Sequence, residues 1–239
     1  MKNYDNEYWA ERVKHYNKTS WVKNKDFLES FLNLLPKKKY DSILEVGIGT
    51  GAVAEKVIEK LGPLIGIDIS SDMISKITHS KITAVVGDAH YLNFKNNTFD
   101  LIYMRNVIHY LDHPKKAIAE IFRCLKPGGY FLFSQVVPPE DTISDEYDWL
   151  VGRDIHYPTQ SEILNWMGAW NINYTDEYIL NSQSIMNWLN NTCNDELEKK
   201  EVINRHYKTS NRYKSLVNYS ASNEDIFVDI KQLMILASK

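Results

Sequence analysis

The chain has 239 residues, 44% of them hydrophobic, and its 28 basic and 31 acidic residues give a net charge of −3. Such a composition supports a sizeable core rather than a disordered chain, and the slight acidity argues against a dedicated nucleic-acid binder. Cys124 and Cys193 are the only cysteines and lie far apart in sequence, so neither a disulfide framework nor a zinc cluster is expected.

The N-terminal residues lack the apolar segment of a signal peptide, and no apolar run along the chain is long enough to cross a bilayer. We therefore expect a cytoplasmic protein without a membrane partner. Residues 1–40 are polar, rich in aromatic residues and helix-like, and Pro36 with the lysines that follow it ends this segment.

Apolar runs and helix-like stretches alternate from residue 42 onward. Strands are predicted at 42–46, 64–69, 82–87, 99–104 and 129–136, with helices at about 51–61, 70–79 and 112–125. The apolar runs lack a two-residue alternation, which is typical of parallel strands buried on both faces. Together these features predict βαβ units in a doubly wound α/β sheet. The Lys-Pro-Gly-Gly sequence at 126–129 predicts a sharp turn before the fifth strand.

The pattern changes after Pro139. The predicted elements are a loop or short helix at 140–157, a helix at 159–169, a strand at 172–180, mainly helix at 184–217 and a last strand at 226–237. Thr159 followed by Glu162 has the sequence of a helix N-terminal cap.

The most informative segment is residues 43–51, where an apolar run ends in a glycine-rich turn that contains Gly47, Gly49 and Gly51. Glycines permit positive φ angles and close approach of a ligand to the backbone at the start of a helix. Glu45, just before the turn, favours a ligand with a positive group over a pyrophosphate. Gly47, Gly49 and Ala52 alone also fit the dinucleotide-binding pattern.

Two further acids follow predicted strands. Asp68 ends the second strand, where a carboxylate can accept hydrogen bonds from both hydroxyls of a ribose, and Asp88 ends the third, where it can accept one from an exocyclic amine. Either acid can instead be an ordinary helix cap.

With these motifs in order, the chain resembles the class I S-adenosylmethionine-dependent methyltransferases of the small-molecule, type 11-like subgroup. The resemblance covers roughly residues 40–137 and rests on five segments: 44–51, 66–70, 87–89, 99–102 and 126–129. It implies a seven-stranded sheet of order 3-2-1-4-5-7-6 with an antiparallel last strand, helices on both faces and a helical lid. The implied domains are a cap at 1–40, a Rossmann-like cofactor-binding core at 41–137, and an acceptor-side insert with the closing strands at 138–239.

The resemblance also implies roles for individual residues. Glu45 and the glycine turn would hold the methionine amino group, Asp68 the ribose hydroxyls and Asp88 the adenine amine. The other implied cofactor contacts are Ile69, Met73, Ala89, Arg105 and Asn106. The cofactor would be S-adenosyl-L-methionine and the product S-adenosyl-L-homocysteine.

Residues on the acceptor side are less well defined by the sequence. His109 and His156 are the candidate bases, since an imidazole can take a proton from an acceptor near neutral pH. For His109 a structural role is the competing interpretation. Tyr16 and Trp21 are candidates for the acceptor side of the pocket. The histidines show no metal-ligand spacing, so no metal is expected.

The predicted function is methyl transfer to a small-molecule acceptor by in-line displacement. One alternative is a methyltransferase that acts on RNA or protein, which the basic, aromatic stretch at 205–214 would favour. The other is a non-catalytic partner protein that binds S-adenosylmethionine. Oligomeric state is not legible from the sequence.

Overall fold

The computed structural model describes residues 8, 9, 12, 13, 24–152, 155–193, 195–222 and 225–239. A single mixed sheet organises these residues. Its strands are β1 (Ile43–Val46), β2 (Leu64–Asp68), β3 (Ile82–Val86), β4 (Phe99–Arg105), β5 (Leu125–Val136), β6 (Asn171–Ser184), β7 (Ser220–Ala221) and β8 (Ile226–Ser238).

Helices connect these strands within the described residues. They are α1 (Lys25–Asn33), α2 (Ala54–Leu61), α3 (Ser71–Ile74), α4 (Pro114–Cys124), α5 (Ser144–Val151), α6 (Gln160–Trp166), α7 (Ile185–Thr192), α8 (Glu196–Lys208) and α9 (Asn211–Leu216). Two 3₁₀ turns lie at Ile108–Tyr110 and Asp141–Ile143. In the described part of the chain, no helix has both the length and the apolar character needed to cross a membrane.

The sheet follows the order β3-β2-β1-β4-β5-β8-β6, and the two-residue β7 pairs with β8 beside this path. β1 to β5 pair in parallel, whereas β8 runs antiparallel to both β5 and β6. The predicted order of the seven main strands and the antiparallel last strand are confirmed. The strand order reverses between β1 and β4, and ligands of open α/β sheets bind at such a switch point, beyond the carboxyl ends of the strands.

Apolar side chains cover both faces of the sheet. One cluster includes Phe131, Phe133 and Ile121 of α4, and the opposite face packs Phe27 and Phe31 of α1. A third cluster lies among elements after β5 and includes residues of α5, α7, α8 and β8. Burial of one such side chain stabilises the fold by about 1.5–3 kcal/mol relative to exposure.

The cap predicted at Thr159 is present. Its hydroxyl accepts a hydrogen bond from the Glu162 amide, and the Glu162 carboxylate accepts one from the Thr159 amide. This capping box satisfies two amide groups that the first turn of α6 leaves without helical partners.

Three local predictions were wrong. The sequence at 126–129 lies inside β5 as an irregularity, because Phe99 pairs with Leu125 while Leu101 pairs with Tyr130. β3 was predicted to be buried on both faces, but none of its five residues is buried and three are exposed. It lies at the edge of the sheet, with β2 as its one neighbouring strand. The helix predicted at 70–79 is the single turn of α3.

Candidate functional site

The glycine turn after β1 is held against the end of β2. The amides of Gly47 and Ile48 both donate to the Ile67 carbonyl, at 2.8 and 2.9 Å. Gly47, Gly49 and Gly51 have φ angles of 76°, 56° and 79°. These angles lie in the left-handed region that favours glycine, so the three glycines allow the chain to turn tightly and to leave backbone exposed.

The carboxylate of Asp68 fixes this turn. Its Oδ2 accepts from the Gly49 amide at 2.7 Å, and its Oδ1 accepts from the Ser70 amide at 2.9 Å. Burial raises the pKa of Asp68, although hydrogen bonds from the amides of Ser70, Gly49 and Ile69 oppose the rise. Each carboxylate oxygen keeps a second lone pair, so Asp68 can accept further hydrogen bonds from a ligand.

Nine of the predicted cofactor residues line one cavity at the carboxyl ends of β1 to β4. They are Gly47, Gly49, Asp68, Ile69, Met73, Asp88, Ala89, Arg105 and Asn106. Ile69, Met73 and Ala89 give this first cavity apolar lining. Asp68 and Asp88, together with Asp112, which was not predicted, give it acidic groups. The cavity therefore combines a slot for a flat apolar ring with hydrogen-bond acceptors at its rim.

His90 supports Asp88 in this cavity. Oδ1 of Asp88 lies 2.8 Å from the His90 amide and 2.7 Å from His90 Nδ1. The His113 amide donates to His90 Nε2 at 3.3 Å, so the ring carries its proton on Nδ1 and donates it to Asp88. Oδ1 of Asp88 thus accepts two hydrogen bonds within the protein. This leaves Oδ2 as the oxygen that can accept a hydrogen bond from a ligand.

Glu45 lies in a second, smaller cavity next to the first. Four residues line both cavities: Gly47, Arg105, Asn106 and Tyr110. The side chain of Glu45 is 3% exposed and accepts a hydrogen bond from the Tyr103 hydroxyl at 2.6 Å. Burial raises the pKa of Glu45 to about 8, against the hydrogen bond from Tyr103 and the charge of Arg105. A cationic ligand group in this cavity would favour the ionised form.

His109 also lines the second cavity, and its ring stacks on Tyr157 with centroids 4.6 Å apart. Gln135 Nε2 lies 2.9 Å from His109 Nδ1 and also donates to the Val136 carbonyl. Gln135 Oε1 lies 3.2 Å from the same nitrogen, so we assign the donor from the shorter contact: the Gln135 amide donates to Nδ1, and Nε2 carries the proton. Burial lowers the pKa of His109 to about 3, and the charge of Arg12 adds to this, so the ring is neutral at physiological pH.

The remaining predicted site residues do not join these cavities. Gly51 lines neither cavity and faces Ile77, whose Cγ1 would lie 3.2 Å from an added Cβ. His156 lines neither cavity and lies between Asp148 and Glu162, at 2.7 and 3.1 Å. Tyr16 and Trp21 lie outside the described residues.

Several cavity residues were not predicted. The N-terminal segment contributes Trp9 to the first cavity and Arg12 to the second, and Arg12 donates to the hydroxyls of Tyr8 and Tyr110, both at 3.0 Å. Later elements contribute Tyr157 and Trp188. The aromatic residues of the N-terminal sequence indicated that this segment could contribute to a cavity. No sequence motif marks Tyr157 or Trp188 as cavity residues.

Gly47→Ala is expected to lower the free energy of unfolding by about 3 kcal/mol, from a strained φ angle and an overpacked contact. An added Cβ would lie 2.2 Å from Val107 Cγ2. Gly128 is the matched control, since its φ is 72° and nothing lies within 4 Å of an added Cβ. Urea unfolding should give only about 1–2 kcal/mol for Gly128→Ala. If both variants lose the same free energy of unfolding, the contact with Val107 does not destabilise Gly47→Ala.

The strand order, the glycine turn and the cavity at the switch point define the fold of class I methyltransferases. The family model described as "Methyltransferase domain" matches residues 44–133, and this segment therefore belongs to that domain family. The resemblance seen in the sequence is confirmed for the family and the fold.

Known proteins support this assignment. The malonyl-[acyl-carrier protein] O-methyltransferase of Haemophilus ducreyi is 30% identical over 141 residues, which cover 54% of this chain and 53% of that protein. The chain thus spans about half the length of the curated relatives it matches. A putative methyltransferase from Bacillus halodurans has a TM-score of 0.80 at 19% identity, with 90% of this chain and 99% of that chain covered.

A second solved structure shares the fold. It is the phosphoethanolamine N-methyltransferase 2 of Haemonchus contortus, in complex with phosphomonomethylethanolamine and S-adenosylhomocysteine. Its TM-score is 0.63 at 18% identity, and the alignment covers 95% of this chain and 58% of that chain.

Proposed function

We propose that the chain transfers a methyl group from S-adenosylmethionine to a small-molecule acceptor by in-line displacement. The single observation that carries this proposal is the first cavity, which is lined by Asp68 and Asp88 together with the apolar side chains of Ile69 and Met73. These residues fit the cofactor. Asp68 would hold the ribose hydroxyls, Oδ2 of Asp88 would accept from the adenine amine, and Ile69 with Met73 would flank the ring.

The geometry of Asp68 argues against a dinucleotide. In dinucleotide-binding folds the glycine-turn amides meet a pyrophosphate. Here the Gly49 amide donates to Asp68 Oδ2 at 2.7 Å, so a carboxylate already occupies the place where a phosphate oxygen would accept. An acid at the end of the second strand is itself compatible with a dinucleotide, because it can hold a ribose, so the engaged Gly49 amide carries this argument and not the charge of Asp68. The same charge suits a cofactor that is cationic at sulfur and at its amino group.

When bound, S-adenosylmethionine supplies a methyl group that its positively charged sulfur activates toward nucleophiles. The protein must hold the acceptor in line and exclude water, which can lower the barrier by about 7–11 kcal/mol. Asn106 braces the edge between the two cavities, because its amide donates to the Ser134 carbonyl and its Oδ1 accepts from the Val136 amide. We place the acceptor in the second cavity, beyond this edge.

His109 suits a positioning role better than that of a base. Its Nδ1 lone pair accepts from Gln135, and its Nε2–H remains as a donor. We propose that Nε2–H orients the acceptor, and that proton removal is needed only for acceptors that are protonated at the working pH. His156 lies outside both cavities and has no part in this proposal.

A macromolecular acceptor has less support. In the basic stretch at 205–214, Arg205 pairs with Glu201 and donates to the Trp149 carbonyl, and Arg212 pairs with Glu140. These side chains are therefore engaged within the protein rather than arranged as a patch for phosphates. The named relatives include an O- and an N-methyltransferase, so the acceptor is best sought from the cavities of this chain.

Isothermal titration calorimetry tests the cofactor assignment. S-adenosylhomocysteine is expected to bind, whereas NAD should give no heat at millimolar concentration because the Gly49 amide already donates to Asp68 and cannot hold a pyrophosphate. Tight binding of NAD, or no binding of S-adenosylhomocysteine, would overturn the proposal. Transfer of a labelled methyl group to a panel of phenols, amines, thiols and carboxylates then separates an enzyme from a non-catalytic binding protein.

A further inference from the structure

A third cavity lies among the elements that follow β5. Its walls come from α5, α7, α8, α9 and β8, and most of its lining is apolar or aromatic. Three of its residues, Val136, Tyr157 and Trp188, also line the second cavity. The second cavity therefore adjoins the third at these side chains and the first at the four residues named above.

Three polar groups line this cavity without a hydrogen-bond partner among the described residues. His206 is 2% exposed, and its only hydrogen bond joins Nδ1 to the Val202 carbonyl at 2.8 Å. That bond fixes the proton on Nδ1 and leaves Nε2 as an acceptor. The hydroxyls of Tyr147 and Tyr213 likewise make no hydrogen bond, although Tyr213 is 2% exposed.

His206 Nε2 and the two tyrosine hydroxyls thus offer hydrogen-bonding capacity in the cavity that no described residue takes up, and a ligand with matching polar atoms would pair with them. His206, Tyr147 and Tyr213 come from three different helices. Their rings pack in the third apolar cluster, where His206 lies against Tyr213, and the three residues also line this cavity.

The cavity carries no free charge. Asp229 is its one acidic residue, and its carboxylate accepts from the Ser182 amide at 2.7 Å and from Asn218 Nδ2 at 2.6 Å. Glu146, which faces Tyr213, is held by Thr209 and Ser210. Burial lowers the pKa of His206 and raises the pKa of Tyr147 and Tyr213, so all three groups are neutral at physiological pH.

We propose that the methyl acceptor is a neutral, mainly apolar hydroxyarene whose non-reacting part fills the third cavity and hydrogen-bonds His206, Tyr147 and Tyr213. The inference rests on the proposed function, because it takes the second cavity as the place of the reacting atom. A hydroxyl of the acceptor donates to His206 Nε2, and the two tyrosine hydroxyls donate to its oxygen atoms. The aromatic walls supply the apolar contacts.

The experiment uses the full chain saturated with S-adenosylhomocysteine, and 2-naphthol with its matched anion 2-naphthoate as probes. Ligand-observed NMR and calorimetry should show that 2-naphthol binds at least about 10-fold more tightly, because nothing in the third cavity compensates a carboxylate. Equal or tighter binding of 2-naphthoate would overturn the inference and would indicate an acid read by Arg12 and Arg105 in the second cavity. Absence of 2-naphthol binding at millimolar concentration would overturn it too.

Substitutions locate the binding. His206→Phe and Tyr213→Phe should each weaken 2-naphthol binding by about 5- to 10-fold, the usual effect of one lost hydrogen bond. Tyr219→Phe is the matched control, since the Tyr219 hydroxyl has no hydrogen-bond partner among the described residues and Tyr219 lines none of the three cavities. Equal loss in Tyr219→Phe would contradict the assignment.

The affinity for S-adenosylhomocysteine is measured in every variant. It should stay within about 2-fold of the wild-type value, which shows that the variants fold. If the cofactor product binds and 2-naphthol does not, this inference fails and the proposed function stands. If the cofactor product does not bind the wild-type chain, the proposed function itself fails.

Discussion

Asp68→Ala is expected to weaken the binding of S-adenosylhomocysteine by about 100-fold, because two hydrogen bonds to a charged carboxylate are lost together. Asp68 faces the first cavity and also holds the amides of Gly49 and Ser70. Its removal therefore deletes ligand contacts and loosens the turn that surrounds the ligand. Calorimetry of the purified variant measures the loss directly.

Asp100→Ala is the matched control for this substitution. Asp100 lies near the opposite end of β4, where it pairs with Lys126 at 2.9 Å and accepts from Ser42 at 2.8 Å. Its removal should lower stability without changing the affinity for S-adenosylhomocysteine. If Asp68→Ala binds within about 3-fold of the wild type, Asp68 does not hold the ribose, since one lost charged hydrogen bond alone costs more.

Glu45→Gln is expected to change how stability depends on pH in the cofactor-free protein. Burial raises the pKa of Glu45 to about 8, whereas in the unfolded chain it titrates near its ordinary value of 4.5. Between these two values the folded state binds one more proton than the unfolded state. The stability of the wild type therefore falls as pH rises through this window, by about 2–4 kcal/mol between pH 5 and pH 8 from this group.

Glutamine keeps the oxygen that accepts from Tyr103 but does not titrate. The variant should therefore gain stability relative to the wild type as pH rises from 5 to 8, as followed by urea unfolding at several pH values. The exposed Glu55 on α2 provides the matched control, and Glu55→Gln should leave this relative stability constant. A difference between Glu45→Gln and wild type that is the same at pH 5 and pH 8 would contradict the prediction.

The sequence predicted residues that line one common cavity because its signals are local to strand ends. The glycine turn, Asp68 and Asp88 each follow a strand, and parallel strands bring their carboxyl ends to one edge of the sheet. Their convergence needs only the correct strand order. The Thr159 cap was also legible, because a capping box involves residues three positions apart. The assigned ligand contacts of these residues stay predictions until the binding experiments are done.

The sequence failed where a residue's role depends on its neighbours in space. Gly51 fits the glycine pattern, but it faces Ile77 rather than either cavity. His156 has the chemistry of a base, yet two carboxylates hold it away from the cavities. Strand burial was misjudged at β3 because sequence periodicity does not show which strand lies at an edge.

By itself, the sequence determined the α/β class, the strand order through its family motifs, and the acidic, glycine-rich edge at which a ligand is expected. These properties follow from short-range patterns that almost any packing of the same strands preserves. Only the tertiary structure decided which residues line the second and third cavities. The contact of Tyr157 with His109 and the meeting of His206, Tyr147 and Tyr213 join distant parts of the chain. Such contacts depend on how helices pack on one another, and no local spacing encodes them.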